Sequence, residues 1–166
     1  AYVEDAAITI DDTHIIDVSE LKLLGEHNWQ NICAAVTAVW QAGMRDIEVI
    51  RAVLKDFSGL EHRLEFVREV EGVKYYNDSF GTTPETAMVA IQAFSEPKVI
   101  VLGGSDKGAD YSELAKVVES GNVRSALLIG ETAPKLRAAL ETAGFTNIRD
   151  GGTSMSEIMQ NITTVA

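Results

Sequence analysis

The alternation of strand-like and helix-like segments after residue 64 constrains the fold of this chain more than any other feature. Two apolar runs in this region, Val-Ile-Val-Leu at 99–102 and Ala-Leu-Leu-Ile at 126–129, show no alternation of polar and apolar residues. Strands that are covered on both faces have this pattern, because crossover helices pack on each side of a parallel sheet. The sequence therefore predicts a three-layer α/β domain with a mostly parallel sheet.

The predicted elements of this domain follow one another closely. Strands are predicted at 64–70, 73–77, 98–102, 124–129 and 145–149, and helices at 84–94, 111–119, 133–143 and 154–162. A different pattern precedes them: two β-branched segments, 6–10 and 13–18, flank a turn-prone Asp-Asp pair and predict a hairpin. Two helices follow, one with Asn28 as its N-cap and one from Asp46 to about Phe57. We place the domain boundary near Gly59.

Composition excludes several classes of partner. The chain has 25 acidic and 14 basic residues and a formal charge of −11, so its surface should repel phosphate backbones and anionic lipids. No stretch approaches the roughly 18 apolar residues of a membrane span. The single cysteine, Cys33, lies in an apolar helical run and is interpreted as a small core residue in a reducing compartment. We expect a soluble, cytoplasmic protein that binds neither nucleic acid nor membranes.

Two loops that follow strands are the first candidates for a ligand site, because ligands of open parallel sheets bind beyond the carboxyl ends of the strands. In the loop at 77–85, the start of a helix explains Thr83, Pro84 and Glu85. It does not explain Asp78 or Thr82.

The loop at 103–110 carries Lys107 among glycines and aspartates. The turn alone would explain its glycines, but a lysine at this edge is also well placed to bind an anion beside a helix N-terminus. The loop is not a phosphate-binding P-loop, because the spacing Gly-x-x-x-x-Gly-Lys-Ser/Thr occurs nowhere in the chain.

Two further segments allow both a structural and a functional interpretation. The segment at 25–31 could be a helix start alone, with Asn28 as the cap and Asn31 one turn later. The segment at 61–65 contains Arg63, which could bridge two domains or reach a phosphate or ribose. The residues by themselves do not decide between these interpretations.

Four short motifs occur in order between residues 25 and 110. They are Gly-x-His-Asn-x-x-Asn at 25–31, Phe-x-Gly-x-x-His-Arg-x-Glu at 57–65, Asn-Asp-Ser at 77–79 and Gly-Gly-x-Asp-Lys-Gly at 103–108. In order and spacing they resemble the second half of the Mur ligases. The resemblance implies that residues 1–59 are the hairpin and helical end of a central ATP-binding domain. Residues 60–166 would be a C-terminal Rossmann-like domain, truncated before its last strand.

The resemblance also implies an activity and a set of site residues. In this family ATP phosphorylates a carboxylate, and the amino group of an incoming amino acid attacks the acyl phosphate. Four residues are assigned to ATP by resemblance: Asn28 and Asn31 at the adenine, Arg63 at phosphate and Asp78 at the ribose. Lys107 and Thr82 are assigned to the carboxylate of D-glutamate, which the acidic form of the last motif implies as the amino acid added to UDP-N-acetylmuramoyl-L-alanine.

The resemblance implies ATP and Mg²⁺ as cofactors, with the magnesium ligands, the P-loop and the domain that grips the UDP sugar mostly outside this sequence. No catalytic residue and no metal ligand is assigned within the chain. We expect a monomer whose partners are small molecules, and we expect the 166-residue chain alone to be inactive.

The sequence departs from the family motif at one place, and two alternative functions stay open. Many family members have Lys-Ala where this chain has Phe80 and Gly81, so a cationic contact in that loop is lost. One alternative is another ligase of the same superfamily, such as a folylpolyglutamate synthetase or a Mur ligase that adds a different amino acid. The other is a non-catalytic α/β binding module, such as a receiver-like domain. That class predicts an acidic cluster at strand ends and no preceding helical segment.

Overall fold

A computed structural model describes residues 1–165 and divides them into two compact units. The first unit comprises Ala1–Phe66 and Tyr76–Asp78, and the second comprises Val67–Tyr75 and the chain from Ser79 onward. Each unit has its own hydrophobic core, so each is described by itself. Within residues 1–165, no helix combines the length and the apolar character needed to cross a membrane.

The first unit is an antiparallel sheet with two helices. Its strands are β1 (Tyr2–Glu4), β2 (Ala7–Ile10) and β3 (Thr13–Asp17), and its helices are α1 (Glu26–Gln41) and α2 (Ile47–Asp56), after a short 3₁₀ helix at Val18–Glu20. The strand order is β1-β2-β3. The predicted hairpin and both predicted helices are confirmed. Strand β1 was not predicted, because its three exposed residues carry no apolar alternation.

The turn and register of the β2–β3 hairpin follow from its sequence. Asp11 and Asp12 both have positive φ angles, of 47° and 58°, as the two-residue turn that matches strand twist requires. The register shifts between Ile8 and Thr9, which is a β-bulge. The extra residue in β3 allows the consecutive side chains of Ile15 and Ile16 both to be fully buried.

Apolar residues of the sheet and of both helices form the core of the first unit: Ile8, Ile10, Ile15, Ile16, Ile32, Cys33, Val36, Trp40 and Ile50. Cys33 is buried in this cluster and burial raises the pKa of its thiol, in agreement with its interpretation as a core residue. Polar contacts attach α2 to the sheet, since Nε of Arg51 donates to the carbonyl oxygen of Ile15 at 2.9 Å.

The second unit contains the predicted parallel sheet. A two-stranded sheet of β4 (Glu65–Val70) and β5 (Val73–Asn77) precedes it, and the residues of this hairpin divide between the two units. The parallel strands are β6 (Lys98–Gly103), β7 (Val123–Ile129) and β8 (Ile148–Asp150), in the order β6-β7-β8. The helices are α3 (Pro84–Gln92), α4 (Ser112–Ser120), α5 (Ala133–Thr142) and α6 (Met155–Thr163).

Helices cover the central strand β7 on both faces. Ala126 and Leu128 belong to a cluster with residues of α3, α4 and α5. Leu127 points to the opposite face and is fully buried, and α6 packs against β7. The sequence prediction of an α/β fold with a parallel sheet covered on both faces is confirmed.

Candidate functional site

The N-terminal turn of α1 holds the two asparagines predicted to bind nucleotide, but not in the predicted capping role. The N-cap is Gly25, with a φ of 87°, and the helix begins at Glu26. Asn28 therefore lies in the first turn, where its Nδ2 donates to the carbonyl oxygen of Leu24 at 2.7 Å. The prediction of Asn28 as the N-cap is wrong, because the positive φ that glycine adopts easily lets the helix start earlier.

Asn31 lies one turn after Asn28 and is exposed. Its Nδ2 is 3.4 Å from Oδ1 of Asn28, at the long end of the range for a hydrogen bond. The two amides therefore lie side by side at the start of the helix. Together they offer both donors and acceptors to a flat heterocycle.

A strained turn at residues 62–64, which we call the 62–64 turn, carries Arg63. Its first and last residues, His62 and Leu64, have left-handed φ angles of 64° and 45°. This conformation costs a non-glycine residue roughly 1–2 kcal/mol. Such strain persists only where surrounding contacts enforce it.

Two carboxylates accept hydrogen bonds from the strained residues. The backbone N–H of His62 donates to Oε2 of Glu65 at 2.8 Å, and the N–H of Leu64 donates to Oδ1 of Asp78 at 2.9 Å. Nδ2 of Asn77 is 2.8 Å from Nδ1 of His62 and 3.4 Å from Oε2 of Glu65. Asp78 thus has a structural role that the sequence did not suggest.

The Arg63 side chain extends from the middle of this turn. It is exposed, and its guanidinium makes no hydrogen bond or ion pair with the described part of the chain, residues 1–165. A cation held in place at its backbone and free at its side chain is suited to bind an anionic ligand.

The imidazole of His27, in the first turn of α1, is affected by burial and by two charges of the first unit. Burial lowers the pKa of the His27 imidazole, the charge of Arg63 lowers it further, and the Asp78 carboxylate raises it. These electrostatic effects require short separations. Arg63 and Asp78 of the first unit therefore act electrostatically on His27, the residue before Asn28.

The second unit holds both residues predicted to bind a carboxylate. In the loop after β5, Thr83 caps α3: its Oγ1 accepts from the N–H of Thr86, which returns a bond to the Thr83 N–H. The preceding Thr82 is exposed and has no hydrogen-bonding partner among residues 1–165. Phe80, also in this loop, is 68% exposed. The structure thus confirms the capping interpretation of Thr83 and leaves the Thr82 hydroxyl available.

The loop after β6, residues 103–108, which we call the 103–108 loop, presents Lys107. Its start depends on glycine: a Cβ on Gly103 would lie 1.9 Å from the carbonyl oxygen of Ile129. The loop after β7 also fixes the path of the 103–108 loop, since the N–H of Thr132 donates to the carbonyl oxygen of Gly104 at 3.1 Å. The Lys107 ammonium is exposed and pairs with no residue in the range 1–165.

Asp106, which precedes Lys107 in the chain, makes hydrogen bonds with groups other than Lys107. Its carboxylate accepts hydrogen bonds from the ammonium of Lys135 and from the N–H of Gly108, which hold its pKa below the usual range. Its own N–H donates to Oε2 of Glu131 at 3.1 Å. Two neighbouring carboxylates therefore bind other groups and leave Lys107 unpaired.

A groove elsewhere in the first unit contains none of the six predicted site residues. It has a volume of about 910 Å³ and lies between β1 and α1, with Val3, Trp29, Cys33 and Ala38 in its lining. The groove suits an anionic ligand less well than the two loops do, because its lining is mainly apolar and contains no lysine or arginine.

Sequence reasoning missed the supporting residues of both loops. Glu65 and Asn77 stood inside recognised motifs, so the motif spacing was a signal, but no role was predicted for them. Glu131 and Lys135 carried no local signal, because Lys135 is 29 residues from Asp106 in sequence.

Comparisons with known proteins identify related sequences. Residues 62–165 match the model of the family described as "Mur ligase, glutamate ligase domain". The chain is 44% identical over 141 residues to the UDP-N-acetylmuramoylalanine--D-glutamate ligase of Thermoanaerobacter sp. strain X514, covering 82% of this chain and 31% of that protein. The proteins of the same name from Lachnospira eligens and Clostridioides difficile are each 39% identical, over 89% and 87% of this chain and 33% and 32% of their own length. The chain thus spans about a third of the curated relatives it matches.

Proposed function

Because the chain belongs to the Mur ligase family, we propose that it is part of the ATP-dependent ligase that joins D-glutamate to UDP-N-acetylmuramoyl-L-alanine in peptidoglycan precursor synthesis. The names of relatives 39–44% identical to it support this proposal. Residues 1–59 form the end of the central ATP-binding domain. Residues 60–166 belong to the C-terminal Rossmann-like domain.

One observation carries the proposal beyond the family match. Each unit presents an exposed cation in a shared motif, Arg63 or Lys107, that has no partner within residues 1–165 while one neighbouring carboxylate, Glu65 or Asp106, binds other groups. The proposed reaction has two small anionic substrates, a nucleotide and an amino acid. Arg63 and Lys107, each in one of the shared motifs and one in each unit, match that need.

The first unit supplies the nucleotide contacts in this proposal. The Asn28 and Asn31 amides face the adenine, and Arg63 neutralises phosphate charge. Asp78 uses Oδ1 for the Leu64 N–H, which leaves Oδ2 to accept from a ribose hydroxyl. The same carboxylate thus supports the turn and binds the sugar.

The second unit supplies the D-glutamate contacts. The Lys107 ammonium pairs with a carboxylate of the amino acid, and the Thr82 hydroxyl donates to it. These contacts orient the amine for attack, which replaces a bimolecular encounter by a positioned one. Phe80 provides no charge where many family members have lysine, so Lys107 carries more of the electrostatic attraction here.

The reaction proceeds through an acyl phosphate. A carboxylate oxygen of UDP-N-acetylmuramoyl-L-alanine attacks the γ-phosphorus of ATP and ADP leaves. The D-glutamate nitrogen then attacks the acyl carbon, phosphate leaves and the nitrogen loses a proton. Within residues 1–165, no group of three or more His, Cys, Asp or Glu residues could hold a metal ion. By resemblance to the family, we propose that the ligase uses Mg²⁺ and that most of the ligands lie outside this sequence. We propose that the enzyme is a cytoplasmic monomer with small-molecule partners only.

Substitutions of the two cations in the full-length ligase test the proposal. A charge-assisted bond to a carboxylate contributes roughly 1.5–3 kcal/mol, so Lys107→Ala should weaken D-glutamate use about ten- to a hundredfold and leave the KM for ATP unchanged. Arg63→Ala should raise the KM for ATP and leave D-glutamate recognition intact. Lys116→Ala, an exposed lysine of α4 paired with Glu113, is the control.

Steady-state kinetics with each substrate varied in turn give the answer. If Lys107→Ala leaves the KM for D-glutamate unchanged, or impairs ATP and D-glutamate equally in a folded enzyme, the assignment of Lys107 is wrong. Preferential use of another amino acid, or of a folate, by the wild-type enzyme would instead favour a different ligase of the same superfamily.

A further inference from the structure

We propose that Glu65 and Asn77 are positioning residues for Arg63, which hold the 62–64 turn in its left-handed conformation and keep the guanidinium free for phosphate. This inference rests on the proposed function for the role of Arg63. Neither Glu65 nor Asn77 has a role in the chemistry described above.

Two hydrogen bonds hold the backbone on either side of Arg63. Arg63 lies between two residues of positive φ, and each of those residues donates its N–H to a carboxylate, at 2.8 Å for His62 to Glu65 and 2.9 Å for Leu64 to Asp78. A side chain between two such residues points in a direction set by both hydrogen bonds. Loss of either bond would let the turn relax toward ordinary backbone angles and redirect the Arg63 side chain.

The negative charge of Glu65 is directed to donors other than Arg63. Glu65 is two residues from Arg63, and a free carboxylate at that position would compete with an anionic ligand for the guanidinium. The Glu65 carboxylate instead accepts the His62 N–H, and Nδ2 of Asn77 lies 3.4 Å from the same oxygen. These donors compensate the negative charge of Glu65, so Arg63 keeps its charge for a ligand.

Asn77 links the imidazole of His62 to the carboxylate of Glu65. Its amide reaches Nδ1 of His62 at 2.8 Å, so it joins the imidazole to the same cluster that holds the backbone of His62. The same Nδ1 lies 3.5 Å from Oε2 of Glu65, so the imidazole, the amide and the carboxylate form one cluster. Asn77 also immediately precedes Asp78 on the chain, so one short segment supports both ends of the 62–64 turn.

The test is a double-mutant cycle in the full-length ligase, with ATP as the varied substrate. Glu65→Ala should raise the KM for ATP roughly 5- to 20-fold, somewhat less than the loss of a whole charge-assisted hydrogen bond because the guanidinium is displaced and not removed, and should leave the KM for D-glutamate unchanged. Glu65→Gln keeps an acceptor oxygen and should restore most of the loss. Glu69→Ala, which removes an exposed carboxylate from the same strand, should have no effect.

Coupling to Arg63 separates positioning from general stabilisation. In the Arg63→Ala background, Glu65→Ala should have almost no further effect on the KM for ATP, because there is no guanidinium left to position. Hydrogen exchange of the His62 and Leu64 amides should be faster in Glu65→Ala than in the wild type. Asn77→Ala should act in the same direction as Glu65→Ala, with a smaller effect.

The possible failures are distinguishable. If Arg63→Ala raises the KM for ATP but Glu65→Ala does not, or if the two effects multiply fully in the double variant, the positioning role is overturned and the proposed function stands. If Arg63→Ala itself leaves the KM for ATP unchanged, the nucleotide assignment of Arg63 and the positioning role both fail.

Discussion

The 62–64 turn and the 103–108 loop present an unpaired cation by opposite means. The turn has no glycine, and it adopts left-handed angles at His62 and Leu64 because side chains of the same unit accept the hydrogen bonds. The loop places glycines where φ is positive, at 138° for Gly103 and 73° for Gly108. Backbone freedom shapes the loop, whereas hydrogen bonds hold the turn against strain.

Despite this difference, the two segments share one electrostatic arrangement. In each, a carboxylate close in sequence to the cation is bound by other donors: Glu65 by the His62 N–H, and Asp106 by Lys135 and the Gly108 N–H. In both segments this engagement removes one acidic neighbour that could otherwise pair with the cation. The difference between the two segments also indicates which substitutions each should tolerate.

The largest expected effect is that of Gly103→Ala. Its Cβ would lie 1.9 Å from the Ile129 carbonyl oxygen, so β6 or the loop after β7 must shift. We expect a loss of about 3 kcal/mol or more in the free energy of unfolding, measured by urea denaturation with circular dichroism. Gly108→Ala, where a Cβ would meet nothing within 4 Å, should cost only the roughly 1–2 kcal/mol of its positive φ. Equal losses in the two variants would contradict the close approach of the backbones.

An intermediate effect is expected from Lys135→Met in the full-length ligase. Without Lys135 the Asp106 carboxylate becomes available to Lys107, so the KM for D-glutamate should rise roughly 3- to 10-fold, on the scale of a partly exposed ion pair. The KM for ATP should not change. Lys116→Met, on the exposed surface of α4, is the matched control. A KM for D-glutamate at the wild-type value would show that Asp106 does not compete for Lys107.

The smallest expected effect is a pH dependence in the first unit. Burial and the charge of Arg63 lower the pKa of His27, so the folded chain holds this proton less tightly than the unfolded chain. The stability contribution of neutral His27 is therefore full above the ordinary value of about 6.5. It is lost as the pH falls below that value and through the lowered pKa of the folded state.

Urea unfolding between pH 7.5 and 5.5 measures this contribution. The only two tryptophans, Trp29 and Trp40, belong to the first unit, so their fluorescence reports its unfolding. The midpoint should fall less with acidification in His27→Gln than in the wild type. His14→Gln, which changes an exposed histidine of β3, is the control. Identical pH profiles for His27→Gln and the wild type would rule out the perturbed imidazole as the cause.

Sequence pattern predicted the parts of the fold that depend on local periodicity. The unalternating run at 126–129 predicted β7 because both of its faces are covered, and the Asp11-Asp12 pair predicted the first hairpin. The last parallel strand was placed too early, at 145–149 rather than Ile148–Asp150. The reason is that Phe145 ends the preceding helical segment: its N–H donates to the Leu140 carbonyl oxygen and its side chain is buried in the core.

The candidate residues of the site were predictable from motifs, whereas their support was not. Asn31, Arg63 and Lys107 stand in short patterns that a sequence displays directly. The contacts of Asp78 with Leu64 and of Lys135 with Asp106 join positions 14 and 29 residues apart, so no local pattern contains them. The N-cap prediction for Asn28 failed for a related reason, since side-chain type favoured asparagine but the positive φ of Gly25 determined where the helix starts.

The β-bulge opposite Ile8 determines how the first hairpin tolerates insertions and deletions. Because Ile15 and Ile16 are adjacent and both fully buried, the strand has no spare position in either direction. Deleting one residue from β3 would move His14 or Asp17 toward the core, and inserting one would force an isoleucine out of it. Homologous chains should therefore vary in the identity of the exposed residues of β3 but keep the length of this strand constant.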